Sequence, residues 1–186
     1  MDELENNEVA RVDEAIVCGR FQPFHNEHLH YLLAALCRSK FLWIGITKPW
    51  RKTVGNSSSH REQDSANPYS FIVRVRMVRQ ALLECGVDPT KFQIIPFDFE
   101  SVLDFDQYNP TCKLVFVTIT DNWSQSKIEQ LEALGKKVCS LYENRDPEIT
   151  ATKIRKSISD GTDLWRTSLP PSVESIIDEE LANART

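Results

Sequence analysis

The chain reads as an α/β protein built on a doubly wound, five-stranded parallel sheet, and two observations predict this. Short apolar runs rich in β-branched and aromatic residues are almost uninterrupted, as strands buried on both faces require. Amphipathic helical stretches separate them, giving the βαβαβ rhythm of an open parallel sheet with C-terminal helices.

The five strand candidates are Ala15-Ile16-Val17-Cys18, Phe41 to Ile46, Phe92 to Pro96, Leu114 to Ile119 and Lys137 to Tyr142. Helical patterns lie between them. Residues 28–38 carry Leu29, Leu32, Leu33 and Leu36 on one stripe; residues 71–85 carry Ile72, Val75, Val78, Leu82 and Leu83. Residues 124–134 hold Ile128, Leu131 and Leu134, followed by Gly135 as a C-terminal stop. Two further helices are expected at about 151–159 and 171–182, the last opened by Pro170-Pro171.

A length of 186 residues suits one domain with a proper core: a flexible polar N-terminus over 1–12, then a single domain over 13–186. A polar stretch at 48–66 interrupts the rhythm and has the composition of a lid or a solvated loop. With 41% hydrophobic and 26% charged residues, the balance is that of a soluble globular protein. The net charge of −5 argues against a nucleic-acid surface, which needs clustered Lys and Arg. Apolar runs are too short to span a bilayer, and the acidic start (Asp2, Glu3, Glu5) is unlike a signal peptide. The 5 cysteines are scattered without a C-x-x-C pair, as reduced thiols in a cytoplasmic protein would be.

Two constellations carry chemistry. In Gly19-Arg20-Phe21-Gln22-Pro23-Phe24-His25-Asn26-Glu27-His28, a strand breaks into a helix whose N-terminus sits at the carboxyl edge of the sheet. Free N–H groups there favour an anion, and two histidines three apart share one face of the first turn. Such a pair can also ligate a metal, but no third ligand is evident; it can equally be solvated surface. The second constellation is Thr150-Ala151-Thr152-Lys153-Ile154-Arg155. Thr150 or Thr152 caps a helix there, and an arginine one turn later would complete a phosphate clamp.

The first segment resembles the G-R-F-Q-P-F-H-x-G-H opening of archaeal-type nicotinamide mononucleotide adenylyltransferases, within the HxGH nucleotidyltransferase superfamily. Thr150 to Arg155 is similar to that superfamily's late S-x-T-x-I-R signature. Asn67-Pro68-Tyr69-Ser70 with Arg74 and Met77 resembles N-P-F-T-x-x-E-R-x-x-M, and Asp160 to Pro170 looks like its closing segment. The resemblance spans residues 14–182. It implies Mg²⁺-assisted attack of a small anionic acceptor on the α-phosphorus of ATP or CTP, releasing pyrophosphate with no covalent intermediate. His25, His28 and Arg155 would then be catalytic. Gly19, Arg20, Phe21, Glu27, Thr150 and Thr152 would bind the nucleotide, and Arg74 an acceptor phosphate. The cation would ride on the triphosphate, with no protein metal ligand. A homo-oligomer is compatible with the resemblance and is not required by it.

Several positions depart from the pattern. Glu27 stands where the superfamily has glycine, putting a carboxylate where it could meet the exocyclic amine of cytosine or adenine. Val73 replaces the glutamate before Arg74. Asp121, Asn122 and Trp123 follow the fourth strand and are candidates for the nucleotide pocket; Arg51 and Lys52 are loop candidates for an acceptor anion. The stretches Trp43 to Thr47 and Thr118 to Trp123 resemble divergent cytidylyltransferases that act on small phosphonates. The sequence therefore leaves three readings: adenylyl transfer to a pyridine mononucleotide, cytidylyl transfer to a small phosphonate, or a nucleotide-binding regulator without turnover.

Overall fold

The computed structural model of the protein describes residues 11–49, 64–97, 111–119, 122–143 and 149–184, excepting the side chains of 119, 122–127 and 142–143. Strand β1 (Val12–Gly19) leads to helix α1 (Asn26–Arg38), β2 (Ser39–Thr47), α2 (Phe71–Glu84) and β3 (Phe92–Phe97). The chain then forms β4 (Leu114–Ile119), α3 (Asn122–Ala133), β5 (Lys137–Glu143), α4 (Ala151–Ser159) and α5 (Pro171–Asn183).

The sheet order is β3-β2-β1-β4-β5, and every pairing is parallel. The doubly wound five-stranded sheet expected from the apolar runs is therefore present. The chain winds outward through β2 and β3, then returns to the other side of β1 with β4. The reversal of strand order falls between β1 and β4, and open α/β sheets bind ligands outside the strand ends at such a point.

Successive residues of each strand feed opposite layers, which is why the runs are apolar throughout. Ala15 and Val17 join Leu42, Ile44 and Ile46 in the core beneath α1, α2 and α5. Ile16 and Cys18 join Val115, Val117, Phe97 and Leu131 in a second core on the face that α3 covers. Tyr31 ties α1 to the sheet by donating its hydroxyl proton to the Phe116 carbonyl.

Pro96 lies within β3, as the expected run has it, where an edge strand tolerates its missing N–H. Two details differ from the sequence pattern. Strand β1 reaches back to Val12, inside the expected flexible terminus, because it pairs with Ser39 at the very start of β2. On α2 the expected stripe is rotated: Ile72 is 63% exposed, while Val73, Arg74, Met77, Val78, Ala81 and Leu82 are buried. The apolar count could not reveal this, because an arginine occupies the buried face. Of the polar stretch at 48–66, residues 50–63 lie outside the described residues, and Asp64–Ala66 form a short 3₁₀ turn.

Gly45 shows how tightly β2 and β3 are fitted. A Cβ there would meet Cβ and Cγ of Phe97 at 2.7 Å, with no flexible side-chain end to yield. Gly45→Ala should destabilise the fold by about 1–3 kcal/mol through overpacking. Urea unfolding checks this, and an unchanged midpoint would contradict it.

Candidate active site

The site is assembled by the way the chain leaves β1. Phe21 takes a left-handed backbone, φ 52°, and folds its ring back over Gly19. A Cβ on Gly19 would meet the Phe21 ring at 2.6 Å, so glycine is required by that close approach. The buried Phe21 ring then packs edge-on against Phe24 at 5.4 Å and against His28 at 5.0 Å.

His25 occupies the N-cap position of α1 in an extended conformation, and its side chain makes no capping bond. Its carbonyl accepts the first helical bond, from Leu29 N–H at 3.0 Å. The imidazole is 4% exposed and stacks on His28 with ring centroids 3.7 Å apart and 24° between planes. The Nδ1 atoms of both histidines are buried without a hydrogen-bond partner in the protein. An orphaned buried nitrogen is costly, so a pair of them at a ligand-binding edge marks a place for a polar guest.

Electrostatics keeps this pair neutral. Burial pushes the His25 imidazole down to about 4. His28 lies well below the usual histidine range, first through burial, then through repulsion from His25 and Arg20. Two rings in face contact titrate as a unit, and a second proton would face the first directly.

Three side chains strap the turn. Arg74, 2% exposed, sends Nη1 to the carbonyls of Arg20 and Thr47 and Nη2 to that of Lys48, each at 2.9 Å. Gln22, also 2% exposed, exchanges two bonds with the Tyr69 main chain: Nε2 to the carbonyl at 2.9 Å, and Oε1 from the N–H at 3.0 Å. Arg155 reaches from α4 to the Gln22 carbonyl at 2.6 Å and to Thr152 Oγ1 at 3.2 Å. The two motifs, 133 residues apart by that bond, thus meet in one site.

The structure brings together Gly19, Arg20, Phe21, His25, His28, Thr152 and Arg155, with Glu27 in the first turn of α1. Thr150 settles the choice of cap: its hydroxyl accepts the Lys153 N–H at 3.3 Å, at the N-terminus of α4. Arg74 was expected to hold an acceptor phosphate, but its guanidinium is buried on main-chain carbonyls, a placement that suits a brace. Burial, and after it the charge of Arg20, lowers its pKa to about 10. Asn122 and Trp123 open α3, though their side chains are not described; Asp121, Arg51 and Lys52 lie outside the described residues. Gln22 and Tyr69 had no assigned role from sequence, because a main-chain pairing across 47 residues leaves no local signature.

The cytidylyltransferase-like family model matches residues 16–159. The chain belongs to this family. It is a nucleotidyltransferase, as the first motif suggested. It is 34% identical over 166 residues to phosphonoformate cytidylyltransferase of Streptomyces viridochromogenes, covering 88% of this chain and 90% of that protein. It is 29% identical to nicotinamide-nucleotide adenylyltransferase of Picrophilus torridus, covering 89% of this chain and 90% of that one. Among solved structures it resembles a bifunctional NMN adenylyltransferase/ADP ribose pyrophosphatase from Francisella tularensis, with TM-score 0.66 and 20% identity. That likeness covers 90% of this chain but 49% of the bifunctional one, and bears on the fold.

The depressed histidines make stability depend on pH with a definite sign. Between the ordinary histidine value of 6.5 and about 4, the unfolded chain binds protons that folded His25 does not. Stability is full above that window and is lost as pH falls through it, on the order of 3 kcal/mol for a buried histidine shifted this far. A His25→Asn/His28→Asn variant should show a flatter fall in thermal midpoint between pH 7 and pH 4 than the unaltered protein. Parallel profiles would mean that these rings are not held neutral by the fold.

Proposed function

We propose that the chain transfers a cytidylyl group from CTP to a small phosphonate, releasing pyrophosphate. The observation that carries this reading is a convergence over one span of sequence. The stacked His25–His28 pair stands at the sheet's switch point, in a chain 34% identical to a phosphonoformate cytidylyltransferase.

In this reading the triphosphate lies along the N-terminus of α1, where main-chain N–H groups and the helix dipole favour it. Its oxygens accept from the orphaned histidine nitrogens and from Arg155, whose pose is set by the Gln22 carbonyl. An oxygen anion of the acceptor attacks the α-phosphorus; that O–P bond forms as the bond to pyrophosphate breaks, in line. The acceptor arrives deprotonated, so no general base is needed, and catalysis is positioning and charge neutralisation. In this reading Mg²⁺ would enter on the triphosphate, where it would neutralise charge.

Glu27 reads the base in this account: a carboxylate beside His28 can accept from the exocyclic amine of cytosine. A second reading, adenylyl transfer to nicotinamide mononucleotide, is favoured by relatives so named in Picrophilus torridus and Sulfurisphaera tokodaii, each 28–29% identical.

Pyrophosphate release with Mg²⁺ separates the readings. Each of the four nucleoside triphosphates is tested against nicotinamide mononucleotide, phosphonoformate and other small phosphonates. The expected result is turnover with CTP and a phosphonate, reduced roughly 100-fold or more by His28→Asn, a loss typical of a removed transition-state donor. Glu27→Gly should weaken the preference for CTP. Turnover confined to ATP and the mononucleotide would replace the proposal with its rival.

A further inference from the structure

We propose that Lys48 is an anion-binding residue for the acceptor, displayed at the end of β2 by a backbone that Arg74 holds in a left-handed conformation. This rests on the reading of a small phosphonate as acceptor.

The first observation is position. Ile46 of β2 lies opposite Gly19 of β1, so Thr47 and Lys48 leave their strand level with Arg20, at the same carboxyl edge as the histidines. The second is strain. Lys48 has φ 48°, and only one other described non-glycine residue, Phe21, is left-handed. Phe21 is accounted for by its buried ring. Lys48 is a half-buried residue, and it precedes Pro49, a position that disfavours compact backbone and favours extended conformation. A β-carbon in the left-handed region crowds the following carbonyl oxygen, a cost that glycine would avoid. A lysine kept in such a place is what a side chain serving a ligand looks like.

The third observation is the device that holds it. Arg74 bonds the carbonyls of Thr47 and Lys48 on either side of the strained residue, and the carbonyl of Arg20 on the neighbouring strand. One buried guanidinium therefore fixes Lys48 relative to Arg20 and to the turn that carries the histidines. The positive charge of Arg20 reaches both His28 and Arg74. With Arg155 bonded to the Gln22 carbonyl of the same turn, the edge carries several cations near a neutral imidazole pair, which suits a triphosphate and a second, smaller oxyanion together. Arg74 is in this account a positioning residue.

The test exploits effects of opposite sign. Lys48→Gly relieves the backbone and removes the charge, so the thermal midpoint should rise while the KM for phosphonoformate rises about 10- to 100-fold, the loss of one charge-assisted bond. The KM for CTP should stay within about two-fold, and Lys48→Arg should recover part of the acceptor affinity. A glycine variant of raised stability and unchanged KM for phosphonoformate would make Lys48 a plain turn residue and overturn the assignment, with the proposed reaction intact. An unaltered protein that turns over no phosphonate would overturn both.

Discussion

The site hangs on a buried guanidinium. Parallel strands end in carbonyls that the sheet no longer pairs, and at the ligand edge of β1 and β2 three of these point at Arg74. Burying a cation is expensive unless its donors are spent, and here they are spent on the groups that most need them. The brace frees the turn after Gly19 to take a conformation that local preference opposes, with Phe21 left-handed and His25 at the helix cap. The reciprocal amide pairing of Gln22 with Tyr69 and the bond from Arg155 hold that turn from two further directions.

What the braced turn delivers is a pair of imidazoles that are rigid, stacked and neutral. Side-chain rigidity comes from the edge of Phe21 and the tilted ring of Phe24 against His28, and neutrality from burial, to which Arg20 and His25 add at His28. In the proposed reaction, neutral imidazoles near Arg20 would meet a triphosphate without ejecting a proton or breaking an ion pair between themselves. They would be in place before charge develops on the leaving group, the condition under which fixed dipoles are most effective.

Much of this was legible in the chain. Strand runs such as Leu114 to Ile119 declared burial on both faces, and the turn from β1 into α1 placed the histidines at the carboxyl edge before any fold was known. The motif around Thr150 and Arg155 pointed to a phosphate clamp, though not to its bond with Gln22. Other features were hidden for physical reasons. Arg74 is a charged residue on a buried helical face, so periodicity set the α2 stripe one residue away, on Ile72. The strain at Lys48 is a backbone angle imposed by tertiary contact, and no residue type announces it.

In the proposed reaction the protein is a scaffold for direct transfer: the acceptor oxygen would meet the α-phosphorus itself, with no enzyme nucleophile between them. Stereochemistry tests this most directly. One diastereomer of CTP carrying sulfur at the α-phosphorus would be turned over with phosphonoformate and the product's configuration determined by phosphorus NMR. A single in-line displacement predicts inversion at phosphorus. Retention would require two displacements through a covalent enzyme intermediate, and would contradict the mechanism drawn from this site.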